Sequence, residues 1–198
     1  AFLKQLQFVV DQKTRVSNYI DQMFAKYAQA PFLSVVIDDC IAKGKDYYNC
    51  GPRYNTSYIQ CTGLGTVTDS LSTLKKHVFE EKTFGMKTIL DAVSKNFVSE
   101  EALRQRIINW TPFFGNDDNY ADSIALRVYN DLLETIDSKP NIKGDRYHLN
   151  MLSTTCHVYF GKVLGAMPNG RLAGKSISDG TSPSHGCDTH GPTAVIRS

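Results

Sequence analysis

Two short runs in the last third of the chain hold residue types that could do chemistry. Thr154-Thr155-Cys156-His157 sets two hydroxyls, a thiol and an imidazole side by side. Read as the start of a strand, the run turns Cys156 and His157 to opposite faces. That excludes a nucleophile–base pair and leaves Thr154 and Cys156 to face one pocket. A hydroxyl so placed can donate to, or accept from, a polar substrate. His185-x-Cys187-x-x-His190 offers imidazole and thiolate, both suited to zinc, but no fourth ligand stands at a familiar spacing. Gly186 and Gly191 instead mark a loop shaped by its backbone. Asp117-Asp118-x-x-x-Asp122 has the acidic spacing of a calcium loop without its mid-loop Gly or terminal Glu, so helix capping and dipole stabilisation account for it better. Gly63-Leu64-Gly65 stops short of a dinucleotide fingerprint, because Thr68 occupies the third glycine position; it reads as a tight strand-to-helix connection.

The elements that must position these runs follow from periodicity. Val16, Tyr19, Ile20, Met23, Phe24 and Tyr27 recur at helical steps and draw one apolar stripe along a long first helix. Pro31 starts a second helix that runs through Val35, Val36 and Ile41 to a stop at Gly44. Arg53 to Gln60 reads as a strand. Thr68 or Asp69 then caps a helix that buries Leu71, Leu74 and Val78. Helices are expected around Ile89 to Phe97 and Glu100 to Trp110. The clearest helix follows Asp118, with Ile124, Val128, Leu132 and Ile136 along one face and Pro140 after its end. Beyond Lys143 the chain is rich in Gly, Pro, Ser and Thr. His157 to Leu164 and Thr193 to Ile196 are its best strand candidates, and Ala166-Met167-Pro168-Asn169-Gly170-Arg171 is a turn. The fold class is therefore α/β, helix-rich in the first two thirds and rich in strand and loop in the last. Long glycine-rich loops in a compact protein are more often functional than idle.

Composition narrows the function classes. Hydrophobic residues make up 41% and charged residues 21% of the 198 residues, which is globular composition. A formal charge of +2 gives no electrostatic case for nucleic acid or a membrane surface as partner. No run approaches the roughly 18 apolar residues of a membrane helix. The five cysteines, Cys40, Cys50, Cys61, Cys156 and Cys187, are odd in number and include no C-x-x-C pair. They read as free, mostly buried thiols in a reducing cytoplasm. Both ends read as positions inside a longer chain. The first opens in helical periodicity without an initiator Met, and the last is the apolar run Thr193-Ala194-Val195-Ile196-Arg197-Ser198.

Several segments form an ordered set: Asp38-Asp39-Cys40-Ile41-x-Lys43-Gly44-Lys45, Arg53-Tyr54-Asn55, Asp69-Ser70-Leu71 with Val78-Phe79, and Gly115-Asn116-Asp117-Asp118. Pro168-Asn169-Gly170-Arg171, Asp179-Gly180-Thr181-Ser182-Pro183 and Gly191-Pro192-Thr193-Ala194-Val195-Ile196 complete it. In order and spacing the set resembles the glycyl radical enzymes of the pyruvate-formate-lyase-like and glycerol-dehydratase branch. The run from Met151 to Gly161 most resembles the trans-4-hydroxyproline dehydratases. Cys50 and Pro52 depart from that branch, where Gly and Ala are expected, and Ser153 stands where it has Pro.

The resemblance implies part of a ten-stranded barrel surrounded by helices, with residues 1–198 an internal portion of that single domain. It implies a lyase that eliminates water from a small hydroxylated substrate such as hydroxyproline, glycerol or a diol. A decarboxylase or C–S lyase on the same scaffold, and a non-catalytic scaffold subunit, stay open. A separate activase, using S-adenosylmethionine and an iron–sulfur cluster, would install the radical on a backbone Gly. A Cys in a Gly-Cys-Val/Ile-Glu motif would carry it to substrate, in a cytoplasmic homodimer. None of the five cysteines precedes Val-Glu or Ile-Glu, and no Arg-Val-x-Gly-Tyr run is present. The chain is thus expected to hold no catalytic residue, cofactor or metal of its own and to be inactive alone. The resemblance places Thr154, with Met151 beside it, at the substrate.

Overall fold

The computed structural model describes residues 2–198, which form a helix-rich α/β structure. In chain order the elements are α1 (Phe2–Tyr27), α2 (Pro31–Val36), α3 (Cys40–Lys43), β1 (Ser57–Gln60) and α4 (Leu64–Thr73). A π-helical segment (Leu74–Glu80) continues α4, followed by α5 (Met86–Ser94), α6 (Glu101–Trp110) and α7 (Asn119–Asp137). Then come β2 (Tyr147–Asn150), α8 (Cys156–Val163) and α9 (Pro192–Arg197). Strands β1 and β2 pair in a parallel sheet, the only sheet among the described residues. Among the described residues no helix is long and apolar enough to cross a membrane. The chain divides into two compact units, one of residues up to Ile59 with Asn130–Asn150, the other of Gln60–Tyr129 with Met151–Ser198.

In the first unit, Tyr147 ties β2 to α1. Its hydroxyl, at the end of a 2% exposed side chain, donates to Asn18 Oδ1 at 2.9 Å and lies 3.4 Å from Thr14 O. Lys139 and Lys143 pair with Asp11 and Asp21 of the same helix at 2.6 and 3.5 Å. The second helix expected from Pro31 to Gly44 is two helices, because Ile37 is extended and Asp39 adopts φ 73°. Arg53 holds Asp39 there with two hydrogen bonds, at 2.9 and 3.3 Å, and keeps its carboxyl below the usual range. Gly44 ends α3 in the left-handed region, as its type requires. Cys50 also sits at φ 60°, so the glycine that the resemblance leads one to expect there has a backbone reason. Of the strand expected over Arg53 to Gln60, only Ser57–Gln60 is strand, with Ser57 and Ile59 on its buried face.

In the second unit, Ala92, Phe97, Leu103, Ile107 and Phe113 form a core joining α5, α6 and the loops that follow them. Asp118 caps α7 through Tyr120 N–H at 2.8 Å. The turn at Met167–Gly170 closes by Gly170 N–H to Met167 O at 3.0 Å, with Gly170 at φ 84°. Three expectations are corrected. Helix α4 starts at Leu64, so Thr68 and Asp69 lie inside it rather than capping it. Its buried face is the small polar one, Thr66, Thr68, Asp69, Ser72 and Thr73, while Leu71 and Leu74 are only partly covered. His157 to Val163 and Thr193 to Ile196 are helical, in α8 and α9, not strands, and Leu164 is extended only as the residue that ends α8. Pro192, at the first position of α9 after Gly191, is an N-terminal helix signal that outranks the β-branched residues behind it.

Apolar side chains are left in solvent in both units, among them Phe32 and Val163 at 83% exposure and Ile196 at 85%. Surfaces of that kind associate. The 198-residue chain alone is expected to bind a hydrophobic dye and to run as oligomers in size-exclusion chromatography with light scattering. A monodisperse, dye-silent monomer would contradict this.

Candidate functional site

The site is built in the second unit around the strap of residues 177–184, which is pinned to α4. Thr66 N–H donates to Ser178 Oγ at 3.1 Å and Ser178 N–H returns a bond to Thr66 Oγ1 at 2.8 Å. Gly63 N–H donates to Asp179 O at 2.8 Å. Ser184 Oγ donates to Asp69 Oδ2 at 2.5 Å, and the other carboxylate oxygen accepts Phe114 N–H at 2.9 Å. Burial pushes Asp69 up to about 7 against the lowering effect of those two bonds. The approach is close enough to need glycines. A Cβ on Gly65 would lie 2.8 Å from Ser182 O, and one on Gly180 would overlap Met151 O. The strap therefore fixes the backbone of Met151 and Leu152.

Beyond that contact the chain turns into α8, and the chemistry-bearing side chains fold back on one another. Thr154 Oγ1 lies 2.7 Å from Cys156 Sγ, and His157 Nδ1 donates to Thr154 O at 2.6 Å. The pairing of Thr154 with Cys156 expected on one face is present, made by a helix start rather than a strand. His157 is not turned away, because a helical turn brings it back to the same residue. Its ring stacks on His185, with centroids 5.3 Å apart. Asp179 completes the group: burial raises its carboxyl, yet bonds from Ser182 and Ser153 and the nearby His157 outweigh this and hold it below the usual range. With Nδ1 committed to a carbonyl, His157 has Nε2 for a further hydrogen bond, and Thr154 offers a hydroxyl. The cluster can bind a small polar molecule through hydroxyl and imidazole, next to a carboxylate. Met151 and Thr154 are both partly buried beside it.

The other sequence candidates separate. His190 Nδ1 bonds Asn116 O at 3.0 Å, while His185 stacks on His157. Burial first, then Asp69 and Asp188, push the Cys187 thiol up to about 12, so it stays protonated. Among the described residues no three His, Cys, Asp or Glu side chains converge to hold a metal. Asp117 pairs with Arg197 at 3.3 Å, and Gly63, at φ 94°, makes the tight connection into α4. Asn116 was not singled out, yet its side-chain amide donates to Phe113 O and Cys187 O and accepts Thr189 N–H and His190 N–H. Nor were Thr66, Ser178 and Ser184. The run of small polar residues on the face of α4 opposite Leu71 and Leu74 is a signal for Thr66 alone; Asn116, Ser178 and Ser184 lie outside that helix.

Comparison with known proteins follows from this geometry. The family profile described as Pyruvate formate lyase-like matches residues 1–161. Trans-4-hydroxy-L-proline dehydratase of Clostridioides difficile is 48% identical over 198 residues, 100% of this chain and 25% of the relative. Isethionate sulfite-lyase of Oleidesulfovibrio alaskensis is 38% identical over 191 residues, 91% of this chain and 22% of the relative. The crystal structure of hydroxyproline dehydratase from Clostridioides difficile, with trans-4-hydroxy-L-proline bound, matches with a TM-score of 0.95 at 47% identity. That match covers 99% of this chain and 25% of the other. The chain spans about a quarter of the length of the relatives it matches.

Two outcomes are expected in the full-length protein. Gly180→Ala must displace Met151 and Leu152, at a cost of about 1–3 kcal/mol in stability measured by denaturant unfolding; an unchanged midpoint would refute the close packing. Asp69 binds a proton more tightly folded than unfolded, so ionising it opposes folding. Its contribution is a loss of stability as pH rises from about 4 to about 7, and none further above. Asp69→Asn should flatten the stability profile across that window alone.

Proposed function

We propose a function from one premise: the chain belongs to the pyruvate formate lyase-like family. The full-length protein is a glycyl radical lyase, and water elimination from a small hydroxylated substrate of the hydroxyproline type is its reaction. The chain is an internal portion of its single ten-stranded barrel domain. The glycyl radical, installed after translation by a separate S-adenosylmethionine and iron–sulfur activase, supplies hydrogen-atom abstraction from an unreactive C–H bond. The Cys and Gly that carry it belong to other parts of the polypeptide. A cytoplasmic, anaerobic homodimer is the setting that the family resemblance supports.

What this chain contributes is position. Abstraction needs substrate within near contact of the thiyl, so a rigid substrate floor matters more than added acid–base groups. Thr154 is the substrate contact: its hydroxyl, beside Cys156 Sγ, presents one hydrogen bond to a hydroxyl, amine or carboxylate of the substrate. Met151 supplies apolar contact from the segment wedged by Gly180. The observation that carries the reading is this fixed segment in a chain 48% identical, end to end, to a trans-4-hydroxy-L-proline dehydratase.

The test uses the full-length protein, activated anaerobically and assayed with trans-4-hydroxy-L-proline. Thr154→Ala should lower kcat/KM about tenfold to a hundredfold, the loss of one hydrogen bond to a polar or charged group, and Thr154→Ser should restore most of it. Equal activity in Thr154→Ala would remove that residue from the substrate shell. A fully radical-loaded parent that turns over no hydroxylated substrate would remove the dehydratase reading.

A further inference from the structure

A cavity in the second unit, of about 420 Å³, is lined by Arg104, Asn169, Arg171, Lys175, Ser176 and His185 among others, with no Asp or Glu in its wall. From it we infer a binding site for a small free oxyanion of the phosphate class, separate from Thr154 and Met151, which do not line it.

Three formal cations share the wall. The Arg171 guanidinium is held by four backbone carbonyls, those of Gly161, Gly165, Lys175 and Ser176, so its charge meets no carboxylate. Arg104 gives Nε to Gly170 O at 2.8 Å and Nη1 to Glu101 at 2.8 Å, which leaves Nη2 with both protons. Glu101 itself is 61% exposed and outside the cavity wall. Lys175 Nζ makes no ion pair among the described residues. Two carboxylates lie behind the wall: Asp69, bonded to Ser184, and Asp188, both near enough to Cys187 to raise its thiol.

Asn169 is the second, independent observation. It is 6% exposed, and its Oδ1 accepts Arg171 N–H at 3.2 Å. That bond orients the amide, so Nδ2 is left with two donors and no partner among the described residues. Nδ2 is thus a donor in the cavity wall without a protein acceptor, free to meet one inside the cavity. Donors from Asn169, Arg104, Lys175 and the Ser176 hydroxyl, with charge from Arg171, call for an acceptor with several oxygens and negative charge. Ile108 and Leu172 in the same wall leave an apolar side for a short carbon portion, and the volume falls in the range of small-molecule sites. An organic phosphate fits that description, and inorganic phosphate is its simplest probe.

The experiment titrates the full-length protein with inorganic phosphate at constant ionic strength, by calorimetry and by thermal unfolding. Saturable binding with a rise in Tm is expected. Lys175→Glu, at an exposed position outside the core, should weaken it about tenfold or more, Lys175→Arg should keep it, and Asn169→Ala should weaken it without reversing charge. Turnover of the activated Lys175→Glu variant should match the parent, which separates this site from the substrate site. No saturable binding in the parent would overturn the inference, as would equal binding by Lys175→Glu and the parent.

Discussion

The second unit depends on the burial of a polar strap against a polar helix face. Residues 177–184 lie so close to α4 that Gly65 has no room for a side chain, and two backbone-to-hydroxyl bonds between Thr66 and Ser178 close the gap. Such a contact contributes little by the hydrophobic effect. It holds because its polar groups are paired, Thr68 Oγ1 being the exception among the described residues of α4 and the strap, and leaving any one unpaired costs about 1–3 kcal/mol. Asp69 is the far anchor of this arrangement, reaching both Ser184 and Phe114. A network of this kind is rigid and specific rather than strongly stabilising.

That rigidity is what the site needs. Gly180, at the middle of the strap, packs on Met151, and three residues later Thr154 begins the turn into α8. The position of the Thr154 hydroxyl is thus set from two directions, by the strap behind it and by Cys156 and His157 folding back from the helix start. A largely paired polar layer holds that hydroxyl at fixed distances from its neighbours.

The sequence made α1, α7, the Pro31 helix start and the Met167–Gly170 turn legible, because each carries a local device: a sustained period, Asp118 as cap, Pro31 at a helix start, Pro-Asn-Gly at a corner. It misled where residue preference and tertiary context conflict. Val158, Tyr159 and Phe160 favour strand by type, yet they form α8, whose Gly161 packs on the backbone of Lys175. In α4 the apolar residues suggest the buried face, but depth is decided by the strap, which bonds to Thr66 and Asp69. The order of short motifs carried the family, while the contacts that build the site depend on pairs such as Asp69 and Ser184, 115 residues apart.

The π-helical stretch from Leu74 to Glu80 has a consequence of another kind. Its wide turns let His77 point inward with both ring nitrogens bonded, to Thr83 and Thr111 at 3.0 Å each. Taking one residue out would tighten the coil into an ordinary helix and swing everything upstream or downstream by about 100°. The imidazole would lose both hydroxyls, and Phe84 the ring it packs against at a tilt. Chain length is therefore locked at this point of the fold, and insertions or deletions that drift through surface loops elsewhere should be purged from these seven positions.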